Sequence, residues 1–124
     1  MRKSKISISG FKIGTAENRE GLTGVTVILA PDGGATAGVD VRGCAPGTRE
    51  TDLLDPRKTV QKIHAVVLSG GSAFGLEAAS GCVKYLAEQG VGFPIGNVCV
   101  PIVCSAVLFD LMIGCLLYTS DAAD

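Results

Sequence analysis

Four consecutive residues, Ser69-Gly70-Gly71-Ser72, offer the densest chemistry in this chain. They follow a short apolar run, Ile63 to Leu68 (IHAVVL), and precede a segment of helical periodicity from about Ala73 to Gln89. Glycines at such a junction let the backbone turn sharply. Free N–H groups at a helix start can bind an anion or a carbonyl oxygen. Ser72 is then either a nucleophile or an N-cap. A nucleophile elbow, G-x-S-x-G, needs Gly two residues after its serine, and Phe74 stands there. The dinucleotide pattern G-x-G-x-x-G fails because Ser72 replaces its second Gly, and no Gly-Lys-Ser/Thr follows to make a P-loop. Capping is the better account of Ser72, since Ser is among the preferred N-cap residues.

The other candidates are weaker. His64 is the single histidine and lies inside the apolar run, before Ser72. An α/β-hydrolase triad places its histidine after the serine, so a packed or hydrogen-bonded His64 is expected. Glu50, Asp52 and Asp55 could pair as carboxylates. Arg49, Arg57 and Lys58 are interleaved with them, which favours a surface salt-bridge patch. Glu17 and Glu20 read as plain surface. Asp110 closes the most hydrophobic stretch of the chain. A charge there is costly unless paired, so Asp110 either terminates a strand or lines a site.

These residues must be carried by alternating strands and one helix. Ile6 to Ile13 alternates weakly, and Leu22 to Ala30 is rich in β-branched residues, so both read as strands. Pro31-Asp32-Gly33-Gly34 signals a turn, and a hairpin with Ala35 to Val41 is expected across it. A loop follows over Arg42 to Thr48, then a helical turn within Thr51 to Lys58. On the helix, Glu77, Ser80, Lys84 and Glu88 form one stripe, while Leu76, Ala79, Val83 and Leu86 form the opposing one. Gly75 and Gly81 lower its propensity, which close packing would justify, and Gly90 ends it. Val98 to Leu111 reads as an irregular, buried strand region.

Composition bounds the rest. With 47% hydrophobic and 19% charged residues, the chain is globular, and 17 glycines among 124 residues suit tight turns in an α/β protein. The net charge of −1 gives no reason to expect nucleic acid or an anionic membrane as partner. No C-x-x-C pair accompanies His64, so neither a metal site nor a cofactor is expected. The cysteines suit reduced thiols in the cytoplasm. Val98 to Leu117 is apolar, but Pro101 and Asp110 interrupt it, and a central Asp costs about 3 kcal/mol on insertion into a membrane. The final ten residues, CLLYTSDAAD (Cys115 to Asp124), correspond residue for residue to a DNA string resembling a transposase adapter. Residues 1–114 are therefore expected to be the natural part and 115–124 a non-native tail.

Three runs carry a family resemblance: RGCAPGTRETDLLDP (Arg42 to Pro56), VVLSGGSAFGLEAASG (Val66 to Gly81) and VPIVCSAVLFDL (Val100 to Leu111). They closely resemble the L-aminopeptidase/D-esterase family, the DmpA-type peptidases. Cys44 and Cys104 stand where a second Gly and a Pro would be expected. The resemblance implies an α/β (α+β) fold, a truncated part of the four-layer αββα sandwich shared with ornithine acetyltransferases. It implies self-cleavage at a Gly–Ser or Gly–Thr type bond, which frees an N-terminal nucleophile that attacks small peptides, amides or esters. That nucleophile lies beyond residue 114 in the family, so no catalytic residue is expected here and the chain alone is expected to be inactive. Ser69, Gly70, Gly71, Ser72, Phe74, Phe109 and Asp110 are implied to line the substrate pocket. The implied partners are the downstream half of the same protein and, in the complete protein, further copies of itself. An acyltransferase on the same fold, or a non-catalytic α/β module binding a small ligand at the glycine turn, are the alternatives.

Overall fold

The computed structural model describes residues 7–114; the expected tail, Cys115 to Asp124, lies outside them. Seven strands and one helix follow in the order β1 (Lys12–Asn18), β2 (Thr23–Leu29), β3 (Thr48–Arg49), β4 (Ala65–Ser69), α1 (Ala78–Glu88), β5 (Phe93–Ile95), β6 (Val98–Val100) and β7 (Val103–Val107). Five strands make a sheet in the order β1-β2-β4-β7-β3, and β5 and β6 form a separate hairpin. Only β4 and β7 are parallel; the other pairs are antiparallel. A parallel pair needs a crossover, and the segment carrying α1 supplies it. This mixed sheet with a helix on one face is the expected partial α+β fold.

β4 holds the centre. Its residues Ala65 and Val67 oppose Leu29 and Val27 of β2 and lie level with Val103 and Ser105 of β7. Ala65, Val67 and Val103 are almost fully buried beneath α1 together with Ala78, Ala79, Cys82 and Leu86. The small side chains on α1 let it sit close to the sheet. Burial of the larger side chains here, Val67, Leu86 and Val103, contributes about 1.5–3 kcal/mol each. The expected polar stripe of Glu77, Ser80, Lys84 and Glu88 faces outward. The other sheet face carries a smaller cluster of Ile63, Ile102 and Cys104, packed by Leu54, Val60 and Val66.

Four expectations change. The Leu22–Ala30 strand does not pair with Ala35–Val41, because β1 and β4 occupy both edges of β2. Ala35 instead makes an isolated antiparallel bridge to Ile63, so the expected hairpin does not form. The first strand starts at Lys12 rather than Ile6, since Gly10 turns the chain with a φ of 84°. The helix opens with a 3₁₀ turn, Ser72–Glu77, before α1 begins. Val98 to Leu111 divides into β6, the buried Pro101 and Ile102, β7 and an irregular exit, and only its middle is buried.

The two helix glycines also part ways. A Cβ on Gly75 would strike the Gly70 carbonyl, so close packing does justify it. Gly81 is exposed. Gly90, with a φ of 69°, ends α1 as expected, and the Val91 N–H returns to the Leu86 carbonyl at 3.0 Å. Among the described residues, no helix is long and apolar enough to cross a membrane.

Candidate functional site

The turn after β4 is held between the entry of β2 and the exit of β7. On one side, the Gly70 N–H donates to the Gly24 carbonyl at 2.9 Å. On the other, the Leu108 N–H donates to the Ser69 carbonyl and the Ser72 N–H to the Leu108 carbonyl, each at 2.9 Å. Asp110 closes the corner. Its Oδ1 accepts the Gly71 N–H at 2.7 Å, and its Oδ2 accepts the Thr23 hydroxyl at 2.6 Å. Hydrogen bonds to a carboxylate are short and about twice as strong as neutral ones. Asp110 thus spends its charge inside the protein, just past the end of β7.

Glycine is required here for two separate reasons. Gly71 has a left-handed φ of 92°. Gly70 does not, but a Cβ on it would occupy the space taken by the Thr23 hydroxyl and the Asp110 carboxylate. The corner also holds two of the three non-glycine residues with left-handed φ among those described, Leu22 at 51° and Ser72 at 53°. Each such residue costs on the order of 1–3 kcal/mol and persists only where its surroundings enforce it.

Three donors that the sequence offered to an anion are therefore already committed. The N–H groups of Gly70, Gly71 and Ser72 all bond within the protein. This corrects the reading of the turn as an anion or carbonyl cradle, and it removes the basis for a ligand-binding module built on those donors. Ser72 is corrected too. The N-cap position belongs to Gly71, no side-chain capping bond forms, and Ser72 is the first residue of the 3₁₀ turn.

Of the expected pocket residues, Ser69, Gly70, Gly71, Ser72 and Asp110 are brought together by these bonds, and the Ser69 hydroxyl donates to the Gly70 carbonyl at 2.9 Å. Phe74 and Phe109 are mostly exposed, at 64% and 70%. Leu108, Met112 and Ile113 are exposed as well, so the exit of β7 is an apolar surface. Thr23 was missed in the sequence. Nothing local distinguishes it from Thr26 on the same strand; only its position at the mouth of β2, opposite Asp110, gives it a role.

His64 is at the far end of β4, about 16 Å from Ser69 at 3.3 Å per residue, so it forms no dyad with Ser72. It is buried, and its Nδ1 accepts the Ile102 N–H at 3.0 Å, the packed role expected of it. Burial pushes its pKa below the usual 6.5. Burial raises the thiol pKa of Cys82, and burial together with the charge of Glu50 raises that of Cys104. Neither is a ready thiolate. The acidic cluster is not a carboxylate pair. Arg57 binds Asp55 at 2.7 Å and holds its partly exposed carboxyl down to about 2. Arg49 turns away from the cluster to the Ser80 hydroxyl at 2.6 Å and the Leu76 carbonyl, tying β3 to the helix. No group of three or more metal-ligating side chains occurs among the described residues.

On the face away from α1, an open groove of about 480 Å³ runs between the sheet and the strap of residues 37–48. Its floor includes Val66, Leu68, Cys104 and Ala106.

The sequence that builds this sheet, helix and braced turn matches a known family. The model of peptidase family S58 fits residues 6–117, three residues past the boundary expected at Gly114, and the chain belongs to that family. An uncharacterized aminopeptidase of Mycobacterium tuberculosis is 54% identical over 91 residues, which cover 73% of this chain and 26% of that protein. An uncharacterized aminopeptidase of Mycobacterium leprae is also 54% identical over 91 residues, covering 73% of this chain and 25% of that protein. A 6-aminohexanoate-oligomer endohydrolase of Paenarthrobacter ureafaciens is 37% identical over 106 residues, covering 86% of this chain and 27% of that protein. The chain spans about a quarter of the length of the curated relatives it matches.

Proposed function

We propose that this chain is the opening part of a self-processing hydrolase that cuts small peptides, amides or esters through an N-terminal serine or threonine nucleophile. The nucleophile belongs to a later part of the protein, freed when the precursor cleaves itself, and its α-amine can serve as base. The described residues supply half of the sandwich and one wall of the pocket. That wall is the turn of Ser69 to Phe74 with Phe109 and Asp110, and it acts by shape and apolar surface rather than by free N–H donors. The 124-residue chain alone is inactive on this reading.

The observation that carries the reading is the match to peptidase family S58 over residues 6–117. The relatives named as aminopeptidases and as a 6-aminohexanoate-oligomer endohydrolase support amide-bond hydrolysis. Expression of the complete gene tests it. Mass spectrometry is expected to find two chains separated at a Gly–Ser or Gly–Thr bond, and the purified protein is expected to hydrolyse L-amino-acid anilides or 6-aminohexanoate oligomers. A single intact chain with full turnover would overturn self-processing. A processed protein inert towards every amide and ester would overturn the hydrolase reading.

A further inference from the structure

We propose that Thr23 is a positioning residue for the pocket wall, acting through Asp110. This rests on the function proposed above. Thr23 is not itself one of the implied pocket residues; it donates its hydroxyl to one of them, Asp110, whose Oδ2 lies at 2.6 Å, across 87 residues of sequence. The other oxygen of the same carboxylate takes the Gly71 N–H at 2.7 Å. One carboxylate therefore links the start of β2 to the peptide between Gly70 and Gly71.

Three features make this link directional rather than incidental. Gly70 leaves open the volume that the hydroxyl and carboxylate fill, so the turn is shaped around the pair. Leu22, just before Thr23, holds a left-handed φ of 51°, and Ser72, just after Gly71, holds one of 53°. Unfavourable backbone thus flanks both ends of this hydrogen-bonded chain, and it persists only where the surroundings hold it. Finally, β2 is locked in register against β4, with Val25 opposite Ser69, so Thr23 cannot drift from the turn it serves. Without the hydroxyl, Asp110 Oδ2 would lose its donor. The carboxylate would then swing towards water, releasing the Gly71 N–H and loosening the turn between Ser69 and Phe74.

The test compares Thr23→Val, which keeps the shape and removes the donor, with Thr23→Ser, which keeps the donor, in the complete protein. Hydrogen–deuterium exchange over residues 69–75 reads the brace itself, and the separate kinetic constants read its consequence. Thr23→Val is expected to exchange faster there and to raise KM about tenfold, the ratio that 1.4 kcal/mol sets at 25 °C. Self-processing should remain complete and kcat should stay within about twofold, as for an interaction shared by ground and transition states. Thr23→Ser should restore both readouts. Unchanged exchange in Thr23→Val would overturn the brace. Faster exchange with KM unchanged, or a KM that Thr23→Ser fails to restore, would overturn the positioning role and leave the hydrolase reading standing. A wild-type protein without processing or turnover overturns that reading, and the positioning role with it. If Thr23→Val does not fold, Thr23→Ala, which admits water to Asp110, is read by the same outcomes.

Discussion

The two faces of the central sheet are built from the same strands and meet opposite fates. On β4, Ala65 and Val67 point under α1, and Val67 is 0% exposed. Val66 and Leu68 point the other way, and Leu68 is 46% exposed above the open groove. Both sets are apolar, so strand composition does not separate them. What separates them is a cover. α1 is long enough to seal one face, whereas the strap of residues 37–48 and the short 3₁₀ turn Asp52–Leu54 close only part of the other. An apolar strand residue thus demands a partner layer but does not say which part of the protein provides it. In an αββα sandwich a second sheet would cover the open face, and on the function proposed here it would come from the downstream half.

Paired substitutions on β4 probe this contrast most strongly. Val67→Asp buries an unpaired charge and should cost more than about 3 kcal/mol, abolishing the cooperative melt in the 124-residue chain and in the complete protein. Leu68→Asp should be tolerated by the short chain, within about 1 kcal/mol, because it is half exposed. In the complete protein it should be nearly as damaging as Val67→Asp. Equal tolerance of Leu68→Asp in both contexts, followed by circular dichroism, would show that no second layer covers that face.

His64, at the margin of the open-face cluster, gives a pH test. Burial lowers its folded pKa below 6.5. Between the two values the unfolded chain binds the extra proton, so stability is complete above about pH 6.5 and declines as pH falls through the folded value. Charging His64 would also remove the lone pair that accepts the Ile102 N–H. Denaturation midpoints measured from about pH 8 to pH 5 should fall on acidification, and His64→Gln should flatten that slope.

The smallest effects come from the sealed side. Ser105 Oγ is buried with no hydrogen-bond partner among the described residues. Ser105→Ala should therefore be neutral or stabilising by about 1 kcal/mol, read from chemical denaturation. At the corner, Ser72→Gly should stabilise by about 0.5–1 kcal/mol, because it relieves a left-handed φ without breaking a cap. A loss of stability in Ser72→Gly would show that the Ser72 hydroxyl has a structural task after all.

Much of the local structure was legible in the chain itself. The helical stripe of Leu76, Ala79, Val83 and Leu86, the stop at Gly90, the strand Leu22 to Ala30 and the sharp turn after Leu68 all follow from residues a few positions apart. Such signals depend on a repeat of two or of 3.6 residues, and that repeat is written in the sequence. Which strands pair is not. β2 had two edges and three candidate neighbours, and competition between distant segments gave them to β1 and β4 rather than to Ala35–Val41. The site followed the same rule. The Ser69–Ser72 turn and Asp110 could be named from residue type, but the use of the turn's N–H groups could not. Those groups are paired by Gly24, Leu108 and Asp110, and Asp110 is fixed by Thr23, 87 residues away. The sequence determined that a glycine turn and a costly carboxylate exist. Only the tertiary fold brought them together, because hydrogen-bond satisfaction depends on what lies adjacent in space.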